Sequence, residues 1–173
     1  ISASTYEILQ KRLGDRADCH RLGFSNINSV IEYKDYGAES TVNTISQVNT
    51  FWDDALDYDM KSARVERGDD FCLRNDISVI DFLKVDVEGA ESRVLEGFSR
   101  MLRDGRVRLV QFEYGYANGD ERFLMRDFFE FFESFGYKVG VVRREGVVFS
   151  EFQYEMNNFL SGPNYVAIRK GDR

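Results

Sequence analysis

The stretch VIDFLKVDVEGAESRVLEGF, Val79–Phe98, opens as an almost unbroken apolar run and then sets Lys84, Asp86, Glu88 and Glu91 within eight residues. A near-continuous apolar run is the pattern of a parallel strand covered on both faces, so VIDFLKVDV is predicted to be a buried strand. From Ala90 the period changes. Val94, Leu95, Phe98, Met101 and Leu102 fall on one face of a helix that Gly105 ends. In an open α/β sheet, ligands bind outside the carboxyl ends of the strands, and Asp86 and Glu88 stand at that end. If the strand stays extended that far, Lys84, Asp86 and Glu88 share one face. Gly89 then lets the chain turn closely into the helix.

The next strand, VRLVQFEYG, brings Glu113 to the same rim if it pairs beside the first, with Tyr114 close by. Two or three acids brought together and partly buried need compensation from a metal, a cation or a ligand. Asp86, Glu88 and Glu113 are therefore the candidate functional acids. Lys84 has a bland alternative as a simple partner for Asp86. Glu91 is expected only to complement the positive end of the helix it opens.

Further along, DERFLMRDFFEFFESFG predicts a helix with a broad phenylalanine face, read as core packing. YKVGVVR and VVFSEF predict a hairpin around REG, and PNYVAIRK, after the lone Pro163, predicts the last strand. Upstream, STYEILQKRLG predicts a helix with Ser4 and Glu7 as a capping box and Gly14 as its stop. DCHRLGFSN and SVIEYKDYG predict strands, the second half-exposed, and SARVERGDDFCLRN a strand entering a short helix. Residues 38–61 have weak periodicity, with Phe51 and Trp52 as apolar anchors, and are expected to form an insertion or lid-like segment. The whole reads as one α/β domain, with a mostly parallel sheet and an antiparallel C-terminal end.

Composition narrows the function. The 173 residues are 43% hydrophobic and 31% charged, which fits one globular domain with a sizeable core. A net charge of −7 argues against a nucleic-acid partner, because phosphate neutralisation dominates such binding. No window reaches the roughly 18 apolar residues that a membrane span needs. The opening ISASTYEILQ lacks a basic region followed by an apolar core, so no signal peptide is expected. Cys19 and Cys72 are too few for a disulfide framework and are expected to be reduced, buried thiols of a cytoplasmic protein. One histidine, His20, leaves no second ring for a histidine-rich metal site or a catalytic triad, and is read as structural.

IDFLKVDVEGAESRVLEGF, followed by VRLVQFEYG, resembles the FkbM family of S-adenosylmethionine-dependent methyltransferases. The family pattern is an apolar strand, then Lys-x-Asp-x-Glu-Gly-x-Glu and Val-Leu-x-Gly. Lys84, Asp86, Glu88, Gly89, Glu91, Val94, Leu95 and Gly97 stand at those positions. The upstream GFSN resembles the segment that runs beside the cofactor adenine. The resemblance implies a Rossmann-like class I methyltransferase sheet, S-adenosylmethionine as cofactor, and methyl transfer to a hydroxyl of a sugar or secondary metabolite. It implies Asp86 and Glu88 at the acceptor end, Lys84 and Glu113 tuning them, and Gly23, Phe24 and Ser25 on the cofactor side. One departure follows from the same comparison. Family domains open with a strand and a glycine-rich loop, then a second strand; no such loop occurs here. The expectation is a domain incomplete at its N-terminal side, lacking its first two strands, or else completed by homo-oligomerisation.

Two other readings stand beside this one. VDVE is an acid-x-acid pair after an apolar strand, suited to holding Mg²⁺ or Mn²⁺ against phosphates in a glycosyltransferase or phosphotransferase. A divalent metal is thus compatible with the sequence, although no ligand set demands one. The third reading is a non-catalytic interaction module.

Overall fold

The computed structural model describes residues 2–37, 40, 43–45, 56–158 and 164–171. Helix α1 (Ala3–Leu13) is followed by a 3-10 turn at Gly14–Arg16. Strands β1 (Gly23–Ser25), β2 (Ser29–Asp35) and β3 (Asp59–Arg67) come next, then helix α2 (Gly68–Arg74) and strand β4 (Ile80–Val85). Helices α3 (Glu91–Gly97) and α4 (Ser99–Arg103) lead to β5 (Val107–Glu113). Helices α5 (Tyr116–Asp120) and α6 (Met125–Ser134), the hairpin β6 (Tyr137–Arg143) and β7 (Gly146–Phe149), and β8 (Asn164–Arg169) complete the order.

The strands form two sheets, one ordered β1-β3-β2 and the other β4-β5-β8-β6-β7. The mixed α/β class agrees with the sequence, but the mostly parallel sheet does not. Only β1/β3 and β4/β5 pair in parallel among the described strands, while β2/β3, β5/β8, β6/β8 and β6/β7 are antiparallel. The reason lies in β8. It slots between β5 and β6 against the direction of both, so β4, β5 and β6 point one way yet β5 and β6 never meet.

Ser2 holds the N-cap position of α1 without a side-chain cap bond and Ser4 lies inside the helix, so the expected capping box does not form there, while Gly14 stops the helix with φ 52° as expected. DCHRLGFSN yields a strand only at its end, Gly23–Ser25. Of the segment 38–61, residues 59–61 belong to β3 and Thr44 bridges to Lys34. Phe51, Trp52 and most of that segment lie outside the described residues, as does Pro163.

The largest correction concerns β4. It was expected to be covered on both faces, yet Phe82 is 54% exposed and Val79, Asp81 and Lys84 are also exposed. Among the described residues β4 has a ladder on one side only, to β5, so it is an edge strand. The apolar run that suggested burial is therefore left partly open.

The core lies between β4, β5, β6 and β8 and the helices α3, α4 and α6. Val94, Leu95, Phe98, Met101 and Leu102 are all buried, as the helical period predicts. Phe112 stacks on Phe128 and Phe132 at ring-centroid distances of 4.7 and 5.3 Å, which turns the phenylalanine face of α6 onto β5. Burial of such rings contributes about 1.5–3 kcal/mol each. Phe98 closes one helix and caps the next, and the buried Asp69 carboxylate accepts the Arg100 and Met101 backbone N–H groups at 2.9 and 3.0 Å. That carboxylate satisfies donors that the first turn of α4 cannot bond internally.

Helix α3 also packs on β1, which links the two sheets. Gly97 sits at that crossing. A Cβ there would stand 2.2 Å from the Ser25 carbonyl oxygen and 3.3 Å from the Gly68 nitrogen, both backbone atoms that cannot rotate away. Gly97→Ala is expected to destabilise the fold by about 1–3 kcal/mol, the usual range for overpacking. Urea denaturation of the variant against wild type measures this.

Candidate active site

Parallel pairing of β4 with β5 sets Lys84 opposite Gln111 and Val85 opposite Phe112. Both strands then end at one rim, and the residues just beyond β4 meet the last residue of β5. Carboxyl oxygens of Asp86, Glu88 and Glu113 all lie within 4.8 Å of one another. The structure thus brings together the three acids that the sequence singled out. The route differs from the expected one. The strand stops at Val85, and Glu88 adopts a left-handed φ of 55°, so the acids meet through a turn and not along one strand face.

That turn is tight. Gly89 follows with φ 106°, and a Cβ on it would stand 2.9 Å from the Ala117 carbonyl oxygen. Only glycine suits both conditions. Thr44 donates its hydroxyl to the Glu88 carbonyl at 2.8 Å, tying residue 44 to the rim. Lys84 pairs with Asp86, so the bland reading of that pair is met within the cluster. Tyr114 does not reach the rim. It is buried in the core, and its hydroxyl donates to the Asn157 carbonyl at 3.1 Å.

The electrostatics follow from the crowding. Burial raises the Glu88 carboxyl to about 7, with the charges of Glu113, Asp86 and Glu91 adding to the effect. Glu113 is raised first by burial and next by a hydrogen bond with Asp86.

Gly23, Phe24 and Ser25 do not touch the acids directly. They line a cleft of about 390 Å³ between the two sheets, whose walls also include Lys84, Val85 and Val87. Lys84 and Val87 thus border both the cleft and the rim. Leu83, Val94, Ile31 and Val65 make the cleft apolar, with Ser40, Asn43 and Thr44 as polar lining. The Phe24 ring is edge-on to Phe71 and Phe98, at centroid distances of 5.2 and 5.1 Å. His20 lies edge-on to Phe71 at 4.9 Å, in keeping with a structural role. Both cysteines are free; Cys72 is buried but Cys19 is only half-buried, against the expectation of two buried thiols.

The model of the methyltransferase FkbM domain matches residues 13–139, which includes most of the cleft lining, the acidic turn and β5. The chain belongs to this methyltransferase family. No curated protein and no solved structure matched the chain in the same comparisons. FkbM-domain membership makes the protein a methyltransferase, and it replaces the glycosyltransferase and phosphotransferase readings of the acid pair.

Two residues that carry weight here were missed or underread in the sequence. Asn118, in α5, is 2% exposed, and its side chain joins the acidic turn through Glu91. A polar residue in a short helix gives no periodic signal, so nothing local marked it. Glu91 does stand at the start of α3 as expected, but it is fully buried and bonded well beyond its own helix.

The raised Glu88 carboxyl gives a stability prediction with a definite sign. A carboxyl whose folded value lies above its unfolded value binds more protons when folded, so stability falls as pH rises through the window between about 4.5 and about 7. Glu88→Gln removes that effect. The variant is expected to melt higher than wild type at pH 8, with the difference closing toward pH 5; thermal melts at the two pH values check it.

Proposed function

We propose that this chain takes part in methyl transfer from S-adenosylmethionine to a hydroxyl of a small molecule or saccharide, with Glu88 as the proton acceptor. The observation that carries the reading is a carboxyl poised near neutrality within a three-acid rim that borders the cleft. A hydroxyl is a weak nucleophile while protonated, and a general base works best with a pKa near the working pH.

The residues present suit the cofactor. The cleft volume falls within the range of small-molecule sites, with apolar walls and few polar groups. Gly23, Phe24, Ser25 and Val85 would hold the adenosine part, and the acidic rim favours a cationic ligand. When bound, the cofactor supplies an electrophilic methyl group on a sulfonium. The chain's own residues do the rest: Glu88 accepts the hydroxyl proton, Glu113 and Asp86 set its affinity for that proton, and Lys84 holds Asp86. Orientation of the acceptor supplies a large part of the rate in a displacement of this kind.

The reading includes a further strand beside β4, upstream of the described ones. It is supported by the one-sided ladder of β4 and by the exposed Phe82 and Val79. A glycine-rich loop for the methionine part of the cofactor belongs to the same upstream region. A cytoplasmic setting, in which Cys19 and Cys72 stay reduced, and acceptors other than nucleic acid or membrane complete the proposal.

Calorimetric titration of S-adenosylhomocysteine into this chain and into an upstream-extended form tests it. Binding is expected, and stronger in the extended form; binding to neither overturns the proposal. With a panel of monosaccharide and phenolic acceptors, turnover is expected to rise with pH up to about 7 and then level off. Glu88→Gln is expected to lose about 10²–10⁴-fold in rate.

The convergence of the three carboxylates favours one variant of this mechanism. Three oxygen donors so close together suit a divalent cation that would activate the hydroxyl in place of a free base. Loss of turnover with a chelator, restored by Mg²⁺ or Mn²⁺, would select that variant; unchanged turnover selects the base.

A further inference from the structure

Glu91 is a carboxylate with only 2% of its surface exposed, and no other step of the proposed chemistry uses it. Its Oε1 accepts the Val87 backbone N–H at 2.9 Å. Its Oε2 accepts the Gly89 N–H at 3.0 Å and the Asn118 side-chain amide at 2.7 Å. Asn118 in turn accepts the Gly115 N–H at 2.8 Å, just past the end of β5 that carries Glu113. Besides its own backbone N–H at the start of α3, the partners of Glu91 come from outside that helix. Val87 and Gly89 lie before α3, and Asn118 belongs to α5. The two clamped N–H groups flank Glu88 on both sides, and Glu88 holds a left-handed backbone that an unsupported loop would abandon.

We propose that Glu91, held by Asn118, is a positioning residue that fixes the Val87–Gly89 turn and so keeps Glu88 beside Asp86 and Glu113. The role rests on the reading of Glu88 as proton acceptor. A carboxylate is needed because it only accepts. A glutamine would turn its NH₂ toward at least one of the converging donors. The charged groups around Glu88 are Asp86 on its own turn, Glu113 from β5 and Glu91 from α3, with Lys84 of β4 bonded to Asp86. If the turn loosens, Glu88 leaves its place beside Asp86 and Glu113.

The test follows the Val87 and Gly89 backbone amides by hydrogen exchange, with the kcat and KM of methyl transfer beside it. Slow exchange of both amides is expected in wild type. Asn118→Ala and Glu91→Gln are each expected to speed that exchange by about tenfold or more and to lower kcat with little change in the KM for S-adenosylmethionine. Glu91→Gln/Asn118→Asp is expected to restore part of the loss by returning an acceptor to the pair. A folded Asn118→Ala or Glu91→Gln protein with unchanged exchange at the two amides overturns the proposal. If neither variant folds, wild type decides: slow exchange of the Val87 and Gly89 amides supports the clamp, and rapid exchange overturns it. A failure to bind S-adenosylhomocysteine counts instead against the reading of the site, while amide exchange still judges the clamp.

Discussion

Two parallel strands hydrogen-bonded in register must end at the same rim of their sheet, and the candidate site depends on that constraint. Had β4 and β5 paired antiparallel, Asp86 and Glu113 would lie at opposite ends of the sheet. The parallel register puts them within reach, and the crossover through α3 and α4 makes it possible. The buried face of that crossover, Val94 to Leu102, anchors the pair from one side. From there the acids are close because the backbone places them, against their mutual repulsion. Their raised proton affinity follows from that placement.

Such a cluster stores unfavourable energy. Like charges held within 4.8 Å and partly desolvated make the folded state prefer a proton. Two acids elsewhere in the fold, Glu66 and Asp35, behave in the opposite way. Glu66 is fully buried, yet its two bonds to Arg74, at 2.7 and 2.9 Å, hold its carboxyl below the usual range. Asp35 is held low in the same manner, chiefly by Lys61, although burial pulls the other way. Paired acids stabilise the frame near neutrality, whereas at the rim Lys84 pairs with Asp86 while Glu88 and Glu113 face other acids. That contrast marks the rim as the candidate site.

The break between the sheets has a physical counterpart in the cleft. Strand β1 and strand β4 stand on either side of it, and α3 packs onto β1 at Gly97. The apolar lining and the exposed apolar side chains of β4 lie in the same region. The cleft and the acidic rim share Lys84 and Val87 as their border.

Much of this was legible in the chain itself. The run from Val79 and the spacing of Lys84, Asp86 and Glu88 marked a strand, a turn and a helix, because hydrophobic period and charge position are local properties. The same spacing carried the family. The tertiary structure alone decided three things. It ended β4 at Val85 and bent Glu88 into a left-handed turn, because the pull of Glu91 and Asn118 comes from other elements. It gave β4 a single neighbour among the described residues, because neighbours across a sheet are set by topology and not by the strand's own apolarity. And it inserted β8 between β5 and β6, since a strand's partner is chosen by the whole core, which no local pattern contains.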